Sequence, residues 1–583
     1  MGGSSQEGEG KKKVTEVKIF NVPFNLKDIK ENITITTNTL SKPSKEQLIN
    51  QAFKFHSQGN ISEAAKYYQD FINQGFSDYR VFCNYGNILR DLGKLKEAEL
   101  TQLKAIEINP DFAITHYNLG LILNDLGKSK EAELSTRKAI EINPDFADTH
   151  FHLGSILRNL GKLKEAELST RKAIELNPDF ADAHSNLGGI LRDLGNLQEA
   201  ERSTRKAIQL NPDLADAHSN LGIILKDLGQ LQEAEISYHK VIELKPDYAG
   251  AYFSLSTLQY SNKNTIWKDK LFSQSILNNK SKKDQIDIYF ARANILHKEK
   301  NYADSAKYLQ LANHIKLDLN PSNSNLLINK SKILLLESDK KEINTKEQRH
   351  SSESIFIVGM PRSGSTLIES IICMSNDVYD LGEINILEES FLECKKSKQD
   401  INLAELYGGK IRNKTELHIT TNKLLYNYQY AGIIVKQIPN AKIIHCYRNP
   451  LDNILSIYRT NFAKGNAYSS SLVDCTRVYL DQENIMTEYK NRFRSKIYDL
   501  NYDSLVTNPN QQIKDLISWL GWKWQESYLQ SHVNPRSVST ASSVQVRFPI
   551  NSKSIDGWKN YKDMLKPAIE ILAKTNRYKD IAS

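Results

Sequence analysis

Residues Ile355 to Ile372 read IFIVGMPRSGSTLIESII: an apolar strand, a short Gly/Ser loop, then a helix with an apolar face. This is the layout of a phosphate-binding loop with one substitution that changes its chemistry. In G-x-x-x-x-G-K-[ST] the lysine reaches the β- and γ-phosphates and the hydroxyl holds magnesium. Gly359 and Gly364 keep the glycine spacing and Thr366 keeps the hydroxyl, but Ser365 stands where the lysine is required. Arg362 is the one strong cation left in the loop. Backbone N–H groups and a helix N-terminus still suit an anion. The set does not suit an ordinary nucleoside triphosphate with its metal, so a kinase is disfavoured and a different activated anion is expected.

A second anion site is expected after the strand Lys442–Tyr447. Arg448 follows its carboxyl end, the usual place for ligands in an open α/β sheet. Asn449 then suits an N-cap and Pro450 the first helical position. Ser456 lies eight residues beyond Arg448, on the helix that follows. An arginine fork and a hydroxyl are apt partners for a phosphate. The competing reading is a surface ion pair and an ordinary helix serine.

The elements that position these residues occupy the second half of the chain. From Ile355 onward short apolar strands alternate with helices, as in an α/β domain. The pattern predicts strands over Ser354–Gly359, Lys442–Tyr447 and Lys496–Tyr502. It predicts helices over Thr366–Ser375, Pro450–Phe462, Leu472–Asn491 and Pro509–Leu520.

The first half repeats itself. Pro110, Pro144, Pro178, Pro212 and Pro246 are spaced by 34 residues. Small residues recur in phase: Gly120, Gly154, Gly188 and Gly222 in one helix, Ala132, Ala166, Ala200 and Ala234 in the next. Gly127, Gly161, Gly195 and Gly229 mark the turn between them. The period and pattern resemble the tetratricopeptide repeat, a helix–turn–helix unit that stacks into a solenoid. Five clear copies run from about Tyr79 to Tyr248, a looser one precedes them through Ala52, Gly59 and Ala64, and Tyr289–Leu317 reads as one more helix pair. The expected domains are a disordered tail and lead-in over 1–44, a solenoid over 45–320, a final helix and linker over 321–354, and an α/β domain with a parallel sheet over 355–583.

Composition narrows the partners. A net charge of +8 over 583 residues, with no long basic block, permits an anionic ligand but does not argue for a nucleic-acid track, and no nucleic-acid partner is expected. Five cysteines without C-x-x-C spacing predict reduced thiols and no metal site. No apolar run reaches 18 residues, so no membrane span is expected, and the polar first 13 residues do not read as a secretion signal. A cytoplasmic location is the expectation.

With both anion sites in hand, the second half resembles a sulfotransferase that uses 3′-phosphoadenosine-5′-phosphosulfate, PAPS. In that family a P-R-S-G-[ST]-T loop without the lysine binds the 5′-phosphosulfate, here Pro361, Arg362, Ser363, Gly364, Ser365 and Thr366. An arginine and a serine at the same interval bind the 3′-phosphate, here Arg448 and Ser456. The likeness is strongest to the tyrosylprotein sulfotransferases and extends with gaps to about Tyr561. It implies that Glu383, in Gly382-Glu383 and 21 residues after Arg362, is the catalytic base. It further implies that Lys423 faces the transferring group, that Ser542 (sixteen residues before Trp558) completes the site, and that Tyr502 lies near the nucleotide. PAPS is then a co-substrate and no metal is needed. Gln545, Val546, Pro549 and Asn551 also agree with that pattern.

There are departures. The arginine that the resemblance places beyond the serine falls at Thr460, with Arg459 beside it. The acceptor-recognising arginine falls at Asn385. The secretory context, membrane anchor and disulfides of that family are not expected here. Rival bases remain: Glu369, read as a structural ion pair, Glu388 and Glu389, read as a solvated helix face, and His445 and His418, because small-molecule sulfotransferases use a histidine. Trp519, Trp522 and Trp524 read as packing beneath a helix end.

A repeat array binds extended peptide or partner surface on its concave side. Its Asp, Ser, His and Arg types there name no ligand. The reading is a sulfotransferase acting on protein tyrosine or a similar hydroxyl, with the repeats presenting the acceptor or a partner. A glycan or lipid sulfotransferase and a non-catalytic repeat scaffold with a relic nucleotide pocket are the alternatives. Removing Lys45–Leu317 is expected to spare nucleotide binding. The oligomeric state is not legible.

Overall fold

The computed structural model describes residues 43–258, 266–339, 352–397, 402–462, 465–534, 536, 538 and 540–581. The expected tail lies, through residue 42, outside the described residues, as does most of the chain between the final repeat-like helix and the first strand. Two compact units are present, Met1–Leu194 and Gly195–Ser583.

The first unit is a stack of helix pairs, beginning with Lys45–Ser57 and Ile61–Asn73. The pair Ala147–Asn159 and Leu163–Leu176 shows why the sequence folds this way. A Cβ on Gly154 would stand 2.1 Å from Thr170 Oγ1, so only glycine lets the helices cross this closely. Thr170 Oγ1 in turn donates to the Ala166 carbonyl at 2.9 Å. Gly161, at φ +76°, makes the turn between the helices in the left-handed region that glycine tolerates. His150 Nε2 donates to the Pro144 carbonyl at 2.8 Å, and His116 makes the same bond to Pro110. These repeated histidines latch the loop between repeats, which accounts for their period without any ligand.

The second unit opens with further repeat helices, including Ala215–Leu228 and Leu231–Leu244. His218 latches to Pro212, and Tyr252 replaces histidine in the bond to Pro246. The expected last helix pair is present as Lys282–Lys298 and Tyr302–Leu319. It is not a detached end cap. Phe290, Leu309 and Ala312 share one apolar cluster with Leu451, Ile454, Tyr458 and Trp558. Asn313 Nδ2 also donates to the Tyr458 carbonyl at 2.9 Å. The helix Ser324–Ser338 packs likewise, with Gln429 Nε2 donating to the Leu327 carbonyl at 3.0 Å. Removing Lys45–Leu317 would therefore expose core side chains of the α/β half, which alters the expectation that such a deletion spares nucleotide binding.

That half is built on five parallel strands: β1 Glu353–Gly359, β2 Val378–Asp380, β3 Ile419–Asn422, β4 Ala441–Tyr447 and β5 Ile497–Asn501. Their order is β2-β3-β1-β4-β5, and every pairing is parallel. β1 and β4 are buried almost throughout, as parallel strands covered on both faces must be. Helices Ser365–Ile372, Pro450–Tyr458, Leu472–Arg492 and Pro509–Leu520 stand within a few residues of their expected bounds. Trp519, Trp522 and Trp524 pack partly buried against the cluster around Ile355, Ile357 and Leu520. β2 and β3 had no expectation. β3 ends in the buried residues Thr-Thr-Asn, of which Asn422 is satisfied locally, its Oδ1 accepting from Leu424 N and Asn427 Nδ2. All five cysteines are free thiols. Among the described residues no helix is long and apolar enough to cross a membrane.

Gly222 sits against a rigid neighbour: an added Cβ would lie 2.6 Å from Cε1 of the fully buried Tyr238. Gly222→Ala is expected to destabilise the second unit by about 1–3 kcal/mol, measured as a lowered urea midpoint with an unchanged slope.

Candidate functional site

Each of the five strands delivers a polar residue just past its carboxyl end. β1 runs into Met360–Gly364, β2 into Gly382-Glu383, β3 into Lys423, β4 into Arg448 and β5 into Tyr502. Because all pairings are parallel, these ends share one edge of the sheet, where open α/β sheets take ligands.

The loop after β1 packs closely on its neighbours at both glycines. At Gly359 (φ +146°) a Cβ would stand 2.2 Å from the Cys446 carbonyl oxygen, so no other residue fits. At Gly364 (φ +94°) it would stand 2.3 Å from the Tyr502 ring. Arg362 adopts φ +67°, a strained setting for a residue with a side chain. Three hydrogen bonds hold it there: Nε to Ser456 Oγ at 3.2 Å, Nη1 to Ser542 Oγ at 2.5 Å and Nη2 to Gln545 Oε1 at 2.6 Å. Asn453 Nδ2 adds a bond to the Pro361 carbonyl at 3.0 Å. The loop arginine thus gathers a helix serine and two residues of a distant loop. Burial first, then the like charge of Arg448, pushes the Arg362 guanidinium down to about 10. It stays cationic at neutral pH, in a place that an anion would stabilise.

Arg448 is nearly buried, its guanidinium 4.8 Å over the Tyr502 ring, and it donates to the Ser554 carbonyl. Its Nε is buried without a hydrogen-bond partner, the Asp503 carboxylate lying 3.7 Å away. Ser363 Oγ is likewise buried without a partner. Ser365 is buried, and Thr366 Oγ1 approaches Thr540 Oγ1 at 3.4 Å. Tyr502 begins a helix, Tyr502–Thr507, where the sequence predicted the end of a strand, because the Asn501 side chain caps the Ser504 N–H at 2.8 Å.

Lys423 Nζ lies 2.5 Å from Glu383 Oε1. The lysine is 1% exposed and the glutamate side chain 48%, so the carboxylate is reachable from solvent with the ammonium behind it. Lys423 N also donates to the Gly382 carbonyl at 2.9 Å, tying the β2 and β3 ends together. Glu369 lies 3.9 Å from Lys423 and 3.0 Å from Arg536, buried among cations. Glu388 pairs with Lys330 at 2.5 Å.

His445 is buried mid-strand. Its Nδ1 donates to Asp499 Oδ1 at 2.6 Å and its Nε2 accepts from Gln482 Nε2 at 2.7 Å, which leaves no nitrogen for a substrate. His418 precedes the amino end of β3, opposite the loop edge. Three residues at the site carried no signal of their own in the sequence: Ser554, Arg536 and Gln545, the last noted only for its agreement with a family pattern. All three lie in the aperiodic stretch 534–554, where neither apolar periodicity nor a motif marks them.

Residues 354–526 match the model of the Sulfotransferase family. Models of the TPR or tetratricopeptide repeat match 86–127 and 188–229, 113–146 and 215–248, 147–180, and 170–202. The chain carries tetratricopeptide repeats and a sulfotransferase-family domain. The match names no acceptor. A similar curated protein is an uncharacterised protein of Aquifex aeolicus (strain VF5), 31% identical over 246 residues, or 38% of this chain and 32% of that protein. The chain therefore spans about a third of the length of this curated relative. Among solved structures, YrrB, a TPR protein with an unusual peptide-binding site, is 26% identical, covering 32% of this chain and 97% of that one at a TM-score of 0.28. A thermophilic TPR protein of Thermus thermophilus is 24% identical, covering 29% and 92% at 0.27.

Burial holds the His445 imidazole below its ordinary value, against the opposing pull of Asp499. Its neutral form therefore stabilises the fold above about pH 6.5, and that contribution is lost as pH falls through the folded value. His445→Gln is expected to lose less stability than the parent between pH 7.5 and 5.5, read from urea midpoints. Equal acid losses in the two proteins would assign the response to other groups.

Proposed function

We propose that this chain transfers a sulfuryl group from PAPS to an acceptor hydroxyl, protein tyrosine first, with the repeats presenting the acceptor or a partner. The observation that carries the reading is the phosphate loop in which Ser365 replaces the lysine while Arg362 reaches across to Ser456, Ser542 and Gln545. The residues present fit an adenosine bisphosphate. Ser363 Oγ and Arg448 Nε are buried donors without partners.

Pro361–Thr366 would hold the 5′-phosphosulfate, Arg448 and Ser456 the 3′-phosphate, and Tyr502 the nucleotide side of the pocket. When bound, PAPS supplies an activated sulfate whose leaving group carries its own phosphates. Glu383 takes the acceptor proton, for which a solvent-reachable carboxylate is needed. Arg362, Lys423 and Ser542 balance the negative charge that gathers on the transferring oxygens. The chemistry is one of positioning and charge, as in phosphoryl transfer.

Asn385 favours a second reading of the acceptor. It is exposed at the start of the helix Ile386–Lys396, where the tyrosylprotein sulfotransferases place an acceptor-binding arginine. A glycan or lipid hydroxyl does not need that charge.

Calorimetric titration with 3′-phosphoadenosine-5′-phosphate is expected to show binding that ATP and AMP do not reproduce. A preference for ATP, or no binding, would overturn the reading and leave a nucleotide enzyme of another class or a scaffold. Glu383→Gln is expected to lower turnover by about 10²–10⁴-fold with nucleotide affinity retained. Unchanged turnover would remove Glu383 from the role of base.

A further inference from the structure

Among the turn glycines Gly59, Gly93, Gly127, Gly161, Gly195 and Gly229, all at positive φ, one differs from the rest. An added Cβ at the first five would meet nothing within 4 Å, but at Gly229 it would stand 2.7 Å from Arg547 Nε. The repeat turn at Asp227–Gly229 is therefore occupied by a residue from the site loop, more than three hundred positions away. Arg547 donates from Nη2 to the Asp227 carbonyl at 3.3 Å and to the Arg536 carbonyl at 2.6 Å, and from Nη1 to the Asn534 carbonyl at 2.5 Å. Two further anchors point the same way. Val538 N donates to the Asp227 carbonyl at 3.2 Å, and Val544 packs against the repeat cluster of Leu221, Leu225 and Tyr252.

Between these anchors lie Ser542 and Gln545, which hold Nη1 and Nη2 of the loop arginine. Gln545 and Arg547 belong to one short helical turn, Gln545–Arg547, so a shift of one carries the other. We propose that Arg547 is a positioning residue that sets Ser542 and Gln545 against Arg362 by fastening their segment to the repeat turn Asp227–Gly229. The last repeats then form part of the site's wall, in addition to any presenting role. For the effect on nucleotide binding, this rests on the sulfotransferase reading. The anchoring itself does not.

The test uses the full chain. Hydrogen exchange without ligand is expected to quicken at least tenfold over residues 538–548 in Arg547→Ala, with the helix Pro450–Tyr458 unchanged and Arg547→Lys close to the parent. Gly229→Ala, which pushes on the same guanidinium from the repeat side, is expected to loosen the same amides. Titration with 3′-phosphoadenosine-5′-phosphate is expected to weaken at least tenfold in Arg547→Ala, and Arg547→Ala/Ser542→Ala to bind no more weakly than the worse single variant. Unchanged exchange over 538–548 in both variants, or fully additive losses of affinity, would overturn the proposal. A parent chain that binds no nucleotide would overturn the sulfotransferase reading instead, and the exchange result would still decide the anchor.

Discussion

The site residues that follow the strands leave the sheet at the same edge because all the pairings among five strands are parallel. Register does the rest. Gly359 pairs with Cys446 in β1 and β4, and Arg448 follows two residues later. A slip of one residue would move Arg448 by about 3.3 Å and turn its neighbours to the other face. The register is secured by burial, since Ile355, Ile357, Ile443 and Ile444 are all shielded from solvent. The chemistry at the edge is polar and strained, and the apolar centre of the sheet is what holds it there.

The site concentrates cations whose partners are shared. Lys423 stands between Glu383 and Glu369, and Glu369 is shared in turn with Arg536, which also pairs with Asp380. Removing one member of such a buried set leaves another charge uncompensated. Arg362 and Arg448 have no carboxylate of that kind in hydrogen-bond contact. Arg362 relies on neutral oxygens and Arg448 on a carbonyl and the face of Tyr502. The two sets of cations are therefore held differently, Lys423 and Arg536 by carboxylates and Arg362 and Arg448 by neutral groups.

Much of this was legible in the sequence, for reasons that differ along the chain. The repeats were plain because a 34-residue period repeats the same steric demand, glycine opposite a bulky side chain, at Gly120, Gly154 and Gly222. β1 and β4 were legible as continuous apolar runs. β2 and β3 were not, because three or four residues such as Ile-Thr-Thr-Asn carry too little apolar text to mark a strand. Arg362, Arg448, Glu383 and Lys423 were found by motif or resemblance, and they do stand at neighbouring strand ends. Their roles rest on the proposed function. The histidines of the repeats and His445 show the reverse case, polar residues whose partners are main-chain carbonyls or core side chains. The stretch from Asn534 to Ser554 has no period of its own, and only the resemblance marked Ser542, Gln545, Val546, Pro549 and Asn551 within it.

The 34-residue unit has a consequence for how such a chain changes over generations. Repeats in a stack touch only their neighbours, and copies this alike in sequence invite unequal recombination. Whole units ahead of Gly195 are free to be gained or lost, lengthening or shortening the reach of the array. The repeat bearing Asp227–Gly229 has no such freedom, since its turn is bound to Arg547 and Val538. The early repeats are open to variation in number, and the repeat at Asp227–Gly229 is inherited together with the α/β domain.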